Sequence, residues 1–251
     1  IQVGMTNKFA VVGDPITQSL SPTIHQAAYK FLGLDYRYSA HQVQSGRLRN
    51  FLESNGDFSG LSVTMPLKAE AFNICDVVDG VAEKTKVANT MAFRDGKCCG
   101  FNTDVFGIMK AVEGLQFDSV AVIGSGATAR SAIVALQTLE SRPKLQVFAR
   151  NATALAELSE SFSVEGSALD SFEPNFDLVI NTVPALAITT SGITMSTSYA
   201  KDEVLTSKQI SGKEMLLWQA LGQLRTFING SPDEVFSDET GLMQAMKLSL
   251  S

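Results

Sequence analysis

The stretch "SVAVIGSGATARSAIVAL", Ser119 to Leu136, decides how the rest of the chain is read. Ser119 and four apolar residues run into Gly124-Ser125-Gly126-Ala127-Thr128-Ala129, which fits G-x-G-x-x-A, and helix-forming residues follow. In such a turn the first glycine allows a sharp reversal and the second lets backbone approach a ligand. The helix N-terminus then offers free N–H groups to a pyrophosphate. A glycine turn alone can simply close a strand–helix loop. Its place between an apolar strand and a helix is what gives it weight. The next strand carries the second clue. It ends "VFARN", with Arg150 and Asn151 where an NAD-binding fold puts an acid on the ribose. An arginine cannot accept from a 2′-hydroxyl but can pair with a 2′-phosphate and stack on adenine. NADP is therefore expected over NAD, although an arginine after a strand is also an ordinary solvated residue.

Outward from this turn, the composition sets bounds. The chain has 251 residues, 45% hydrophobic, and a net charge of −6. That suffices for one large core or two smaller ones. No long run of Lys or Arg occurs, so neither nucleic acid nor an anionic membrane is an expected partner. No apolar run reaches the roughly 20 residues of a membrane helix. The first residues, "IQVGMTNKFAVVG", lack a basic segment followed by an apolar stretch and a cleavage site. Cys75, Cys98 and Cys99 have no metal-ligand spacing, and their odd number fits a reducing cytoplasm. A vicinal Cys98–Cys99 disulfide is disfavoured. With only His25 and His41, no histidine-rich metal site is expected.

The first half alternates strand and helix. "KFAVVG" reads as a strand, and "SPTIHQAAYKFLG" as a helix with Ser21 as N-cap, Pro22 in the first turn and Gly33 as the stop. "YRYSA" is a strand, "SGRLRNFLESNG" a capped helix, and "GLSVT" a strand after which Pro66 opens a short helix. "NTMAFRDGKCCGF" is a hairpin turning at Asp95-Gly96. "TDVFGIMKAVEG" is a helix that Asp104 could cap. The second half repeats a βαβ pattern: the glycine-turn unit, "LQVFARN", a helix capped by Asn151, and "FDLVINTVP". Patterning is weak from about Ala185 to Gly212. "KEMLLWQALGQLRTFING" is a helix with Met215, Leu216, Ala220, Gln223 and Phe227 near one face, and Ser237 caps a last helix. The expected architecture is α/β: two α/β domains flanking a cleft, an N-terminal substrate-binding domain (1–103 plus 231–251) and a Rossmann-type dinucleotide-binding domain (104–230).

If the second domain holds nicotinamide, the first should hold the substrate. Its polar residues at strand ends are Ser19 and Ser21 in "QSLSP", Thr64 and Lys68 in "VTMPLK", Asn89 in "ANT" and Asp104 in "GFNTD". Hydroxyls, an amide, a lysine and an aspartate suit a polyol or hydroxy acid rather than acyl transfer. In order along the chain, "VVGDPITQSLSPTIHQAAYKFLGLDYRY", "LSVTMPLK", "ANTMAF", "GFNTDVFG", "VIGSGATARSAI", "VINTVP" and "MLLWQALGQL" resemble the successive motifs of shikimate dehydrogenase. They span nearly the whole chain, and SLSP, VTxPLK and NTD together are far more specific than the glycine turn. The strand ends "SVTMP" and "ARN" look nearest to actinobacterial-type members.

The resemblance implies NADP-dependent interconversion of 3-dehydroshikimate and shikimate by a cytoplasmic monomer or homodimer, within aromatic amino acid biosynthesis. It implies Ser19 and Ser21 as ligands of the substrate carboxylate, and Thr64, Lys68, Asn89, Asp104 and Gln219 as ligands of the ring hydroxyls. Lys68 and Asp104 would be the catalytic pair. Gly124, Ser125, Gly126, Ala127, Thr128, Ala129, Arg150 and Asn151 would hold the cofactor. Tyr199 is a poor match to the family's substrate tyrosine, since "Tyr-Ala-Lys" stands where "Tyr-Asn-Pro" is usual. Ser62 stands where Asn is common, Ala127 where a third glycine is common, and the second basic residue of the family's N-R-T-x-x-R run is missing. Taken singly, Ser21 and Asp104 read as helix caps, Lys68 as a solvated charge, His25 as structural, and Trp218 and Met215 as packing. The motifs together reverse that ranking for Ser21, Lys68 and Asp104. The alternatives are a quinate/shikimate dehydrogenase using NAD, a non-catalytic nucleotide-binding regulator, or a two-domain dehydrogenase acting on amino acids or folates.

Overall fold

The structure is a computed structural model that describes residues 7–197 and 209–251. The chain divides into two compact units, 1–103 with 219–251, and 104–218. The return to the first unit falls at Gln219, inside a helix, and not at residue 231.

The first unit is built on β1 (Lys8–Gly13), β2 (Arg37–Gln42), β3 (Gly60–Val63), β4 (Val77–Val78), β5 (Thr90–Arg94) and β6 (Lys97–Phe101). They form one sheet in the order β2-β1-β3-β5-β6-β4. β1 pairs in parallel with both β2 and β3, whereas β3/β5 and the β5/β6 hairpin are antiparallel. The hairpin turns at Asp95 and Gly96, with φ of 50° and 72°. Side chains alternate across the sheet. Ala10, Val12, Leu61, Val63 and Met91 form one buried face, with Leu67 and Ala71 over them. On the other face the Phe9 and Phe227 rings lie 4.7 Å apart. The helices of this unit are α1 (Ser21–Phe31), α2 (Leu48–Ser54), α3 (Lys68–Ile74) and α4 (Gly80–Thr85), with the later turns of α8 (Gly212–Asn229) and α9 (Glu239–Leu248).

The second unit holds α5 (Asp104–Ala111), β7 (Ser119–Ile123), α6 (Ala127–Thr138), β8 (Lys144–Ala149), α7 (Ala152–Phe162), β9 (Glu165–Ala168), β10 (Leu178–Asn181), β11 (Ile193–Ser196) and β12 (Gln209–Ile210). Its strands are all parallel, in the order β12-β11-β10-β7-β8-β9. With β7 to β12 counted as first to sixth, this is 3-2-1-4-5-6, the order of a Rossmann sheet. The order reverses between β7 and β10, and in such sheets ligands bind beyond the strand ends at that reversal. Val120 to Ile123 and Leu178 to Ile180 are buried throughout, as the central strands of a sheet covered on both faces must be.

Several local expectations are corrected. Ser21 is the first helical residue of α1, and the N-cap position falls to Leu20 without a side-chain bond. Pro66 follows a cis peptide, and the helix begins two residues later, at Lys68. Asp238, not Ser237, caps α9 by accepting from the Gly241 N–H. Arg47 at the α2 N-cap makes no side-chain cap. Instead Glu70, on α3, accepts from the N–H groups of Gly46 (2.9 Å) and Leu48 (3.0 Å). Asn151 caps α7 as expected, its Oδ1 accepting from the Ala154 N–H at 3.0 Å.

Candidate active site

The motif "GLSVTMPLK" delivers its polar side chains through main-chain bonds. Thr64 leaves β3 with its N–H donating to the Val12 carbonyl (2.9 Å), and the Leu67 N–H closes back on the Thr64 carbonyl (2.9 Å). That turn ends at Lys68, the first residue of α3, which is half-buried. A β-carbon on Gly13 would lie 2.3 Å from Thr64 Cγ2 and 2.8 Å from the Met65 carbonyl oxygen. Glycine is required there because the Thr64 segment crosses the end of β1.

Asn89 stands beside Lys68. The Ala88 N–H donates to the Lys68 carbonyl (3.0 Å), and the Val63 N–H donates to the Asn89 carbonyl (2.7 Å). The Asn89 side chain is buried and heavily used. Its Oδ1 accepts from the Thr103 N–H (2.9 Å) and the Thr90 hydroxyl (2.8 Å), while its Nδ2 donates to Thr103 Oγ1 (3.0 Å) and, at 3.4 Å, to Gln219 Oε1. One amide thus ties together the start of β5, the residue before Asp104, and α8. Thr64, Lys68, Asn89 and Gln219 all belong to the first unit. So do Ser19 and Ser21, and the Ser19 hydroxyl accepts from the Ser21 N–H at 3.4 Å. Asp104 is counted with the second unit. It is the first residue of α5 and is buried. Tyr199 lies outside the described residues.

In the second unit Gly124 has a φ of +118°, and a β-carbon on it would lie 2.3 Å from Thr182 Oγ1. The Thr182 hydroxyl donates to the Ile123 carbonyl at 2.7 Å, tying the ends of β10 and β7 across the reversal point. A β-carbon on Gly126 would meet nothing within 4 Å, so the backbone there is open to a close-approaching group. Ser125, Ala127 and Thr128 complete the turn, half-buried, and Ala129 is fully buried. The features that let a dinucleotide fold receive a pyrophosphate are therefore present. Arg150 and Asn151 follow β8, both exposed.

Three contributors escaped the sequence reading. Thr182 was visible only as part of "VINTVP". Glu70 caps a helix other than its own. Gln223 reads as one more residue on the packed face of α8, but its side chain is hydrogen-bonded on both ends. None carries a local signal, because each acts across elements distant in sequence.

The chain was compared with known proteins on this basis. The family profile of the shikimate dehydrogenase substrate binding domain matches residues 11–91. A shikimate dehydrogenase (NADP(+)) of Ignicoccus hospitalis is 34% identical over 185 residues, covering 70% of this chain and 68% of the relative. The chain belongs to the shikimate dehydrogenase family. A second family member, the shikimate dehydrogenase (NADP(+)) of an Acinetobacter baumannii strain, is 32% identical over 197 residues, covering 72% of this chain and 74% of the relative. The crystal structure of the Thermus thermophilus shikimate 5-dehydrogenase in complex with NADP(H) and shikimate matches with a TM-score of 0.81 and 26% identity, covering 97% of this chain and all (100%) of that one. Among the described residues no helix is long and apolar enough to cross a membrane.

Proposed function

We propose that this member of the family reduces 3-dehydroshikimate to shikimate with NADPH, a step of aromatic amino acid biosynthesis. The observation that carries the reading is the joining of the Thr64–Lys68 turn to Asn89 and Gln219 within one unit, in a chain whose second unit has the Rossmann strand order. Support also comes from the family relatives named for this reaction.

In this reading Ser19 and Ser21 bind the substrate carboxylate, and Thr64, Asn89, Gln219 and Lys68 bind ring hydroxyls. NADPH, when bound, supplies the hydride. Gly124 to Ala129 would hold its pyrophosphate, with Arg150 and Asn151 at the adenosine end. Addition of hydride to the ketone carbon breaks the carbonyl π bond and leaves negative charge on oxygen. The Lys68 ammonium stabilises that charge and gives its proton to the oxygen, leaving a neutral amine that solvent reprotonates. Asp104, a buried carboxylate, is assigned as the partner of Lys68 in that exchange. In the oxidation direction the same atoms move in reverse, with Lys68 accepting the hydroxyl proton.

The test is a matrix of two acids and two nucleotides. NADP+ reduction with shikimate should exceed that with quinate, and NADP+ should exceed NAD+. A preference for quinate with NAD+ would assign the quinate/shikimate branch instead. Nucleotide binding without turnover of either acid would make the chain a regulator.

A further inference from the structure

Beneath the residues assigned to the substrate, the first unit buries a run of polar side chains that the reaction does not use. The Tyr38 hydroxyl donates to Ser62 Oγ at 2.6 Å, and the Ser62 hydroxyl donates to Gln223 Oε1 at 2.8 Å. His25 Nε2 lies 3.2 Å from the same Gln223 oxygen. Because that oxygen can only accept, His25 carries its proton on Nε2. Gln223 Nε2 then donates to the Asn89 carbonyl at 3.2 Å. The run has one direction: Tyr38 and Ser62 from one side and His25 from the other fix the Gln223 amide, and the amide points its N–H at Asn89. The imidazole is stacked on the Tyr38 ring, 4.2 Å between centroids and 10° between planes.

These groups are all deeply enclosed: Tyr38 is 4% exposed, Ser62 3%, Gln223 2%, Asn89 1% and His25 0%. Enclosing polar groups costs free energy that their hydrogen bonds only about recover, and apolar residues of similar shape often serve stability as well or better. His25 Nδ1, moreover, finds no hydrogen-bond partner among the described residues. A core built for stability alone would not keep that arrangement beside the aromatic packing of Phe9, Tyr29 and Phe227. What the run does reach is the site. Gln223 lies one helical turn beyond Gln219 on α8, and residues four apart share a helix face. It grips Asn89, whose amide in turn holds Gln219 and Thr103.

We infer that Gln223 is a positioning residue for the acid substrate. Held by Ser62, Tyr38 and His25, it sets the register of α8 against Asn89 and so the placement of the Asn89 and Gln219 amides. Ser62 belongs to this device as well, its hydroxyl accepting from Tyr38 and donating to the Gln223 amide oxygen. The inference rests on the proposed function for its substrate, and its test separates the two.

The variants are Gln223→Met, which keeps length and loses both hydrogen-bonding ends, and Ser62→Ala, which removes one donor with little change of volume. Loss of one such bond corresponds to about a tenfold effect. For Gln223→Met the Michaelis constant for shikimate should rise about tenfold, with kcat and the constant for NADP+ unchanged within about twofold. Ser62→Ala should move the same constant in the same direction by less. Equal rises for acid and nucleotide, or no change for the acid in both variants, would overturn the inference. If the wild-type chain does not turn over shikimate at all, the proposed function fails and the inference is decided by hydrogen exchange. The Thr103 amide, donor to Asn89, should then exchange about tenfold faster in Gln223→Met, with the Leu61 amide unaffected. Unchanged exchange at Thr103 would overturn it.

Discussion

The Thr182 hydroxyl occupies the space that a side chain on Gly124 would need, 2.3 Å from the position of a β-carbon there. The same hydroxyl donates to the Ile123 carbonyl and so joins the two strand ends between which the Rossmann order reverses, which makes the fold itself demand glycine here. Gly124→Ala should destabilise the chain by roughly 1–3 kcal/mol and weaken NADPH binding, because both the clash and the positive φ remain to be accommodated. Adding Thr182→Ala should recover the steric part alone. Thermal melts and a fluorescence titration with NADPH check this; full recovery in the double variant would show that φ contributes nothing.

Glu70 stabilises a helix that is not its own. Its two carboxylate oxygens accept from Gly46 and Leu48 at the start of α2. Replacing it with Ala should cost about 1 kcal/mol, the usual worth of a helix N-cap, read as a lower urea midpoint with an unchanged slope. Glu70→Gln, which keeps one acceptor, should cost less. Equal stability of wild type and Glu70→Ala would show that water replaces the carboxylate without loss.

His25 gives stability a pH dependence of known sign. Burial lowers its pKa from 6.5 to about 3, against a smaller raising effect from the Gln223 bond. Between these values the unfolded chain takes up a proton that the folded chain refuses. Its contribution is therefore fully present above pH 6.5 and is lost as pH falls toward 3. Between pH 6.5 and 5 the loss from this one group is about 2 kcal/mol. His25→Gln should flatten the fall in unfolding free energy over that interval by that amount, measured by urea denaturation at each pH. Parallel curves for variant and wild type would contradict a neutral buried imidazole.

The Cys75 and Cys98 sulfurs lie 3.4 Å apart. Cys98 and Cys99 are adjacent on β6, and neighbouring strand residues point to opposite faces. The hydrogen bond shared by the two sulfurs favours ionisation of the Cys98 thiol, while that bond and burial push the Cys75 thiol up. Diamide, which takes up two electrons and two protons from a thiol pair, should link Cys75 to Cys98 and leave Cys99 open to alkylation. Peptide mapping that found a Cys98–Cys99 link would contradict the geometry.

What the sequence revealed followed the range of the forces involved. β1, the Asp95-Gly96 hairpin, the β7 glycine turn and the Asn151 cap are written in neighbouring residues, and each was legible. β4, β9 and β12 have two to four residues, too few to show a period. The N-terminus of α2 looked locally capped but is capped from α3. Thr64, Lys68, Asn89 and Gln219 could be named from their motifs. Their connection could not, because it runs through the Lys68 and Asn89 carbonyls, which the identity of a side chain does not announce. Gln223 was hidden for a further reason: on an amphipathic helix a buried glutamine differs little from a packed one until its partners on α1 and β3 are known.

The most direct test of the central claim is the steady-state rate of NADP+ reduction with shikimate in wild type and Lys68→Ala, measured together with shikimate affinity. Wild type should turn over. Lys68→Ala should lose about 10²- to 10⁴-fold in kcat, the worth of a positioned proton donor, while shikimate affinity changes only severalfold. Near-normal turnover in Lys68→Ala would contradict the assignment of Lys68 and the mechanism built on it.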